Sequence, residues 1–286
     1  MSRALLVVRA GPRSLHPRWL EGARGFDVLV SAYDARAPRV EGPGIASELR
    51  PGTKVAALGA LLRERRELLA RYDRVGLADD DLEFDAATAD ALFGACAAHG
   101  FRLAQPALTH DSHFTYAALL RHPGMRLRHV TFVEMMFPVF ETGALMEVAP
   151  LFGMGLESGI DLVWCNALHR GPRDFAVIDA HPVRHTRPVG QDASANGFGG
   201  GRSYESDIAR ALGAFGLPWL PCLPYGGIAS DGRAVGRGAI ALSAVRMAAG
   251  ALRHRADADR AREIAVYARH LATRRAENRP VSLGGA

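Results

Sequence analysis

Lysine is almost absent from this sequence, since Lys54 is the only lysine among 286 residues. The formal net charge is nevertheless +5, so the basic character comes from arginine. The arginines are scattered, and their densest stretch, "RERRELLAR", carries glutamates between them, as is typical of a solvated helix face. We therefore expect no nucleic-acid partner, although a basic surface suits an anionic ligand or an acidic membrane surface.

Cysteine is also scarce. Cys96, Cys165 and Cys222 are odd in number, far apart and in no metal-ligand spacing. This argues against a disulfide framework and a zinc site, and it indicates buried thiols in a reducing compartment. We therefore expect a cytoplasmic protein.

Long apolar segments are missing. No segment approaches the roughly 18 apolar residues of a membrane-spanning helix, and the early run "ALLVV" is too short for a signal peptide. Hydrophobic residues make up 48% and charged residues 23% of the chain, the balance of a soluble globular protein. We expect no transmembrane segment, which leaves a peripheral membrane contact open.

Short β-rich segments alternate with helical patterns through most of the chain, which predicts an α/β fold with a mainly parallel sheet and flanking helices. One helix is expected between an N-cap at Asp85 and Gly100, and one strand is expected to stop at Pro106. The predicted strands are 4–8, 26–33, 73–78, 101–106, 128–136, 175–179 and 183–186, and the other predicted helices are 53–72 and 158–170.

The alternation ends at "NGFGGGRS" (196–203), which predicts a joint. Residues 1–195 are predicted to form the catalytic domain, and residues 196–286 a helical C-terminal extension. Helices are expected at 203–215, 238–253 and 258–274, with a loop at "LPWLPCLPYGG".

The stretch "ADDDL" follows a predicted buried strand. Ligands bind at the carboxyl ends of parallel strands, and alternate residues of an extended segment share a face. Asp79 and Asp81 are therefore expected to point one way and Asp80 the other. Two converging carboxylates suit Mg²⁺ or Mn²⁺. The alternative is that the aspartates only cap a turn.

A histidine could complete such a site. His181 and His185 are four residues apart in "VIDAHPVRHTRP", and a neutral imidazole can join carboxylates around a metal. Either residue could instead be an ordinary surface histidine. His110 and His113 present the same ambiguity.

Two acidic residues are candidate bases. Glu134 interrupts an apolar run, so it must face a polar cleft or find a partner, and burial would raise its pKa. Asp161 could act in the same way. Its alternative is a capping box with Ser158 at the start of a helix.

Lys54 lies at the start of a predicted helix, where a cation opposes the helix dipole. A phosphate or a carboxylate partner would offset this. The alternative is a solvated residue at a helix end.

Eight segments, in this order, resemble the domain-of-unknown-function 707 family, which is similar in turn to GT-A-fold, nucleotide-sugar-dependent glycosyltransferases. The resemblance covers roughly Arg3 to Pro188. The segments are "LVVRAGPRSLHPRWL", "FDVLVSAYD", "GTKVAALGALL", "YDRVGLADDDLEF", "LAQPAL", "FVEMMFPVF", "GLESGIDLVWC" and "VIDAHPVRHTRP".

The resemblance implies a GT-A-like domain in which "ADDDL" matches the Asp-x-Asp motif. Asp79, Asp81 and His185 would then hold Mn²⁺ or Mg²⁺ against the diphosphate of a nucleotide-sugar donor. Asp161, with Glu134 second, would act on the hydroxyl of a sugar or other acceptor. Asp34 would contact the nucleoside, and the remaining residues expected on the cofactor side are Arg9, Lys54 and Asp80.

The sequence therefore predicts a metal-dependent glycosyltransferase. Two alternatives remain open at this level. A metal-dependent phosphohydrolase would use the same aspartates and a histidine to activate water. A non-catalytic nucleotide- or sugar-binding protein would bind without turnover.

Overall fold

The computed structural model describes residues 3–190, 197–198, 201–219, 221–254 and 257–284. The described chain forms one large sheet with helices packed against it, which confirms the predicted α/β class. The strands are β1 (Ala4–Ala10), β2 (Phe26–Ala32), β3 (Ile45–Leu49), β4 (Arg74–Asp79), β5 (Leu82–Glu83), β6 (Leu103–Leu108), β7 (Met125–Val130), β8 (Val139–Glu141), β9 (Phe175–His185), β10 (Pro224–Ala229) and β11 (Ala234–Gly236). The helices are α1 (His16–Trp19), α2 (Lys54–Glu64), α3 (Arg66–Leu69), α4 (Ala86–His99), α5 (Thr142–Val148), α6 (Asp161–Leu168), α7 (Tyr204–Ala214), α8 (Arg237–His254) and α9 (Ala258–Thr273).

The strand order is β11-β10-β7-β9-β6-β8-β4-β1-β2-β3, with β5 paired separately to β9. The pairings place β1 to β4, β6, β9 and β10 in one direction, and β7, β8 and β11 in the other. The carboxyl ends of most of the described strands therefore meet along one edge of the sheet, where a ligand site is expected.

Strand β1 lies at the centre of the parallel half, and all seven of its residues are buried. A strand covered on both faces needs a near-continuous apolar sequence, and "ALLVV" provides it. The three cysteines are also buried and unbridged, as the sequence predicted.

Helix α4 begins and ends as predicted. The Asp85 side chain accepts a hydrogen bond from the Thr88 amide, and Gly100 takes the left-handed conformation with φ 65°. The predicted helix over 53–72 is divided at Arg65 into α2 and α3.

Three strand predictions need correction. Pro106 lies inside β6, where the pairing with β9 is irregular between Pro106 and Leu108, so the missing amide is accommodated instead of ending the strand. The segments 175–179 and 183–186 are one continuous strand, β9. Strand β7 ends at Val130, so Glu134 lies in the loop that follows it.

The C-terminal part is not only helical. Helices α7, α8 and α9 occur where predicted, but β10 and β11 join the central sheet through β7. A Cβ at Gly227 would collide with the Leu127 carbonyl oxygen, so the glycine permits this close strand pairing. Residues 196 and 199–200 of the predicted joint lie outside the described residues, and the division of the chain into two domains stays a prediction.

Within the described ranges, no helix combines the length and the apolar character required to cross a bilayer.

Candidate functional site

A cavity of about 250 Å³ opens at the edge of the sheet where β1, β4 and β9 end. Two strand pairings assemble it. Arg9 on β1 lies opposite Asp79 on β4, and β5 pairs Leu82 with His185 at the end of β9. The charged residues that line the cavity are Arg9, Lys54, Asp79, Asp80, Asp81, Glu134, Glu157, Asp161, His185 and Arg187.

The three consecutive aspartates diverge. Asp79 forms an ion pair with Lys54, and Asp81 Oδ2 lies 3.1 Å from His185 Nε2. Asp80 accepts hydrogen bonds from the Gly11 amide at 2.8 Å and from Arg187 Nη1 at 3.0 Å. Asp80 therefore fixes the loop after β1, as the alternation along an extended segment predicts for the middle aspartate.

The ion pair between Asp81 and His185 sets the charge of both groups. Burial alone would lower the pKa of His185, but the hydrogen bond and the negative charge of Asp81 raise it to about 9. Burial would raise the pKa of Asp81, and the same hydrogen bond holds it below its usual value. For Asp79, burial outweighs the nearby Lys54 charge and raises the pKa.

Lys54 has the anionic partner that its position required. Its Nζ donates to the Met135 carbonyl at 2.9 Å and pairs with Asp79. The exposed amides at the start of α2 are satisfied separately, because Glu157 accepts from the Val55 amide at 2.7 Å and the Ala56 amide at 3.1 Å. A carboxylate there also complements the helix dipole. Lys54 is therefore a cavity residue and not a solvated helix end.

His185 is oriented as a metal-ligating histidine would be. Its Nδ1 lies 3.0 Å from the His113 carbonyl oxygen, so a proton on Nδ1 is held there and Nε2 points toward Asp81. Metal-bound histidines commonly donate their second ring nitrogen to such a carbonyl. His113 thus contributes through its backbone, whereas His181 is not among the described residues that line the cavity.

Within the described ranges, no three carboxylate, imidazole or thiol side chains converge in a metal-binding arrangement. The residues still fit a hard divalent ion, because Mg²⁺ is commonly held by one or two carboxylates, substrate phosphates and water. Asp81 and His185 already converge, and Asp79 is the neighbouring carboxylate held by Lys54.

Two carboxylates with raised pKa values also line the cavity. Burial and the nearby charge of Asp161 raise the pKa of Glu134 to about 7. Burial raises the pKa of Asp161 to about 6, against the opposing effect of a hydrogen bond from the Met135 amide. Carboxyl groups with values near neutrality are suited to proton transfer at physiological pH.

The capping-box alternative for Asp161 is wrong. Helix α6 begins at Asp161, the N-cap residue is Ile160, and no side chain caps the helix. The Asp161 carboxylate instead accepts from the Met135 amide at 3.3 Å and from the Leu162 amide at 3.1 Å. These contacts hold it toward the cavity.

Arg9 is a buried cation with neutral partners. Its side chain donates to Ser31 Oγ, the Arg50 carbonyl and the Gly52 carbonyl, each at 2.9 Å, while its buried Nε has no hydrogen-bond partner. Burial and the nearby charge of Arg50 lower the pKa of Arg9 to about 10. Arg9 lines the cavity, and its predicted role on the cofactor side stays a prediction.

Asp34 does not belong to this cavity. It lies after β2, pairs with Arg36 two residues away, and is not among the described lining residues. The nucleoside contact that the resemblance implies for Asp34 stays a prediction.

Sequence reasoning missed Arg187 and Glu157. Both act through long-range contacts, Arg187 on Asp80 and Glu157 on the start of α2. For Arg187 the alternation in "HTR" places it two residues after His185, which was the available signal.

No family model matches the sequence, and no curated protein matches it. The resemblance to the domain-of-unknown-function 707 family therefore stays a prediction.

Solved structures with a similar arrangement include S. aureus TarS 1–349, at a TM-score of 0.46 and 9% identity over 74% of this chain and 71% of that chain. The same protein in complex with UDP-GlcNAc aligns at a TM-score of 0.42 and 10% identity over 96% and 73% of the two chains. Its complex with UDP aligns at a TM-score of 0.41 and 9% identity over 74% and 71%. We infer function below from the cavity's own side chains.

Proposed function

We propose that this protein is a metal-dependent glycosyltransferase that moves a sugar from a nucleotide-sugar donor to a hydroxyl acceptor. The observation that carries the proposal is the pairing of two kinds of group in one cavity. Asp79, Asp81 and His185 line this cavity and suit a divalent cation. Asp161 and Glu134 line the same cavity, and their pKa values suit proton transfer.

Cleavage of a sugar–diphosphate bond leaves growing negative charge on the diphosphate. Stabilising that charge is the main electrostatic task of the site. Asp79, Asp81 and His185, the last after its Nε2 proton is released to solvent, would hold Mn²⁺ or Mg²⁺, and such an ion supplies positive charge to phosphate oxygens when it is bound. Lys54 lies beside these residues and provides a further positive charge.

The acceptor hydroxyl must lose a proton as it attacks the sugar carbon. We assign Asp161 as the base that accepts this proton. Two backbone amides favour its ionised form, and its pKa of about 6 leaves it mostly ionised at pH 7.5. Glu134, with a pKa of about 7, carries a proton part of the time and is suited to hold a substrate hydroxyl.

A turnover assay tests this proposal. The protein is incubated with UDP-, GDP- and ADP-sugars, Mn²⁺ and a mixture of hydroxyl acceptors, and nucleoside diphosphate and glycosylated product are followed by mass spectrometry. The proposal expects metal-dependent release of a nucleoside diphosphate together with a product heavier by one sugar residue. Phosphate release from simple phosphate esters without sugar transfer would instead identify a hydrolase, and nucleotide binding without any turnover would identify a binding protein.

A further inference from the structure

Three lysine and arginine side chains line the cavity of the described chain beside the aspartates, and they differ in how firmly they are held. The guanidinium of Arg9 donates to three backbone carbonyls and one hydroxyl. Arg187 is fixed between Asp80 and the Arg13 carbonyl. Among the described residues, Lys54 contacts the Asp79 carboxylate and one carbonyl, that of Met135.

The chemistry of the side chains adds to this difference. A guanidinium with several planar donors is locked by its partners, whereas an ammonium is a point charge on a flexible four-carbon stem. The side chains of Lys54 and Asp79 keep 20% and 28% of their surface exposed to the cavity opening. Lys54 is therefore the cation that can exchange its partner with least disturbance of the fold.

Two backbone amides next to Lys54 already donate hydrogen bonds. Glu157 occupies the amides of Val55 and Ala56 at the start of α2, so that helix end offers no free anion site there. An anionic ligand that enters next to Asp79 would meet the Lys54 ammonium and not the helix amides.

We propose that Lys54 is a partner-switching cation: it neutralises Asp79 in the ligand-free site, and it transfers to the donor diphosphate when Asp79 joins the divalent ion. This inference rests on the proposed function and adds an exchange that the function itself does not require. Asp79 Oδ1 cannot serve the ammonium and a metal ion fully at the same time, so Lys54 and the ion compete for it. The diphosphate provides a new anionic partner for the Lys54 ammonium, which leaves Asp79 free to bind the ion.

Two consequences follow. Lys54 weakens the binding of a divalent ion alone, and it makes the ion and the diphosphate bind cooperatively. Because coupling between two ligands is reciprocal, each must raise the affinity of the other by the same factor. Removing the ammonium should therefore strengthen binding of the ion alone, weaken binding of the diphosphate, and reduce the coupling factor.

The variant Lys54→Met tests these consequences, because the methionine keeps an unbranched side chain and lacks the charge. Arg233→Gln is the matched control, since Arg233 pairs with Asp231 in an exposed turn, neither residue is among the described residues that line the cavity, and the variant loses the same charge. Titration calorimetry measures the affinity for Mn²⁺ alone, and then for UDP, GDP and ADP with and without Mn²⁺. For Lys54→Met we expect Mn²⁺ alone to bind about 5-fold to 10-fold more tightly, and nucleoside diphosphate with Mn²⁺ to bind about 10-fold more weakly, within the usual range of coupling energies. Arg233→Gln should match the unmodified protein.

Weaker or unchanged Mn²⁺ binding in Lys54→Met would overturn the switch while leaving nucleotide binding by the unmodified protein, and hence the proposed function, in place. Absence of nucleotide binding in the unmodified protein would instead count against the proposed function itself.

The single lysine allows a second test that needs no variant. Reductive methylation with ¹³C-formaldehyde labels Lys54 and the chain's α-amino group, which NMR separates by their pH dependence. The Lys54 signal should shift little with Mg²⁺ alone and shift clearly when the nucleoside diphosphate is added with Mg²⁺. A signal that stays unchanged when nucleotide and Mg²⁺ bind together would show that Lys54 keeps its partner, and it would overturn the switch.

Discussion

His185 Nε2 lies 3.1 Å from Asp81 Oδ2 because β5 and β9 pair Leu82 with His185. The two side chains come from distant parts of the sequence and meet through one short antiparallel pairing. The same pairing places them at the edge of the sheet where β4 ends at Asp79. The candidate cation site therefore depends on the two-residue strand β5.

Replacement by asparagine should show that Asp80 and Asp81 have different roles. Asp80→Asn removes the charged acceptor of the Gly11 amide and Arg187, so we expect the free energy of unfolding to fall by about 1–3 kcal/mol. Asp81→Asn removes the ionised partner of His185, so it should also lower the free energy of unfolding, and it should weaken Mn²⁺ binding by about tenfold or more. Denaturant unfolding and calorimetry measure the two effects. Equal loss of Mn²⁺ affinity in both variants would contradict the division.

Substitution of the candidate base, Asp161, should reduce the rate of sugar transfer and leave nucleotide binding nearly unchanged. Asp161→Asn keeps the size of the side chain and removes the proton acceptor, so we expect sugar transfer to fall by about 10²-fold to 10⁴-fold. Nucleoside diphosphate binding should remain within about twofold. Glu134→Gln should reduce transfer less, because an amide still accepts a hydrogen bond. A larger loss in Glu134→Gln than in Asp161→Asn would reverse the two assignments.

Arg128 and Asp179 form a fully buried pair away from the cavity, with Arg128 Nε 2.9 Å from Asp179 Oδ2 and Nη2 3.0 Å from Oδ1. Either Arg128→Met or Asp179→Asn leaves a buried polar group without its partner, so each should lower the free energy of unfolding by about 3–5 kcal/mol. The double variant should cost less than the sum of the two single variants. Additive losses in urea unfolding would show that the two side chains do not act as a pair.

His16 should contribute a loss of stability on mild acidification. Its side chain is fully buried, and burial lowers its pKa to about 4 from 6.5. Between those values the unfolded state takes up a proton on this residue that the folded state does not, so the contribution of His16 to the free energy of unfolding decreases as pH falls from about 6.5 toward 4.

The variant His16→Gln should remove that contribution. We expect the slope of unfolding free energy against pH between 6 and 5 to decrease by up to about 1.4 kcal/mol per pH unit. Buried His122, whose pKa is also lowered mainly by burial, keeps part of the slope in both proteins. Urea unfolding at a series of pH values measures this slope. An unchanged slope in His16→Gln would show that His16 does not titrate in this way.

Features that depend only on residues close together in the chain could be predicted from the sequence. Asp85 and Gly100 bound α4 because capping involves only residues within one turn. Asp80 turns away from Asp79 and Asp81 because side chains alternate along an extended segment.

Features that depend on distant partners were not readable. The sequence around Asp161 fits a capping box, yet tertiary contact with the Met135 amide determines where its carboxylate points. Likewise, "LPYGGIA" has the proline and glycine of a loop, but Gly227 allows β10 to pack directly on β7. The partner of Lys54 could be expected only as an anion, and the fold decides that it is Asp79.

We expect this cavity to bind a nucleoside diphosphate through a divalent ion held by its aspartates. The most direct measurement is calorimetric titration of UDP, GDP and ADP into the unmodified protein and into Asp81→Asn, each with and without Mn²⁺. We expect at least one of these nucleotides to bind the unmodified protein only when Mn²⁺ is present, and to bind Asp81→Asn about tenfold or more weakly. Absence of binding by all three nucleotides, or binding that is equal with and without Mn²⁺, would contradict the claim.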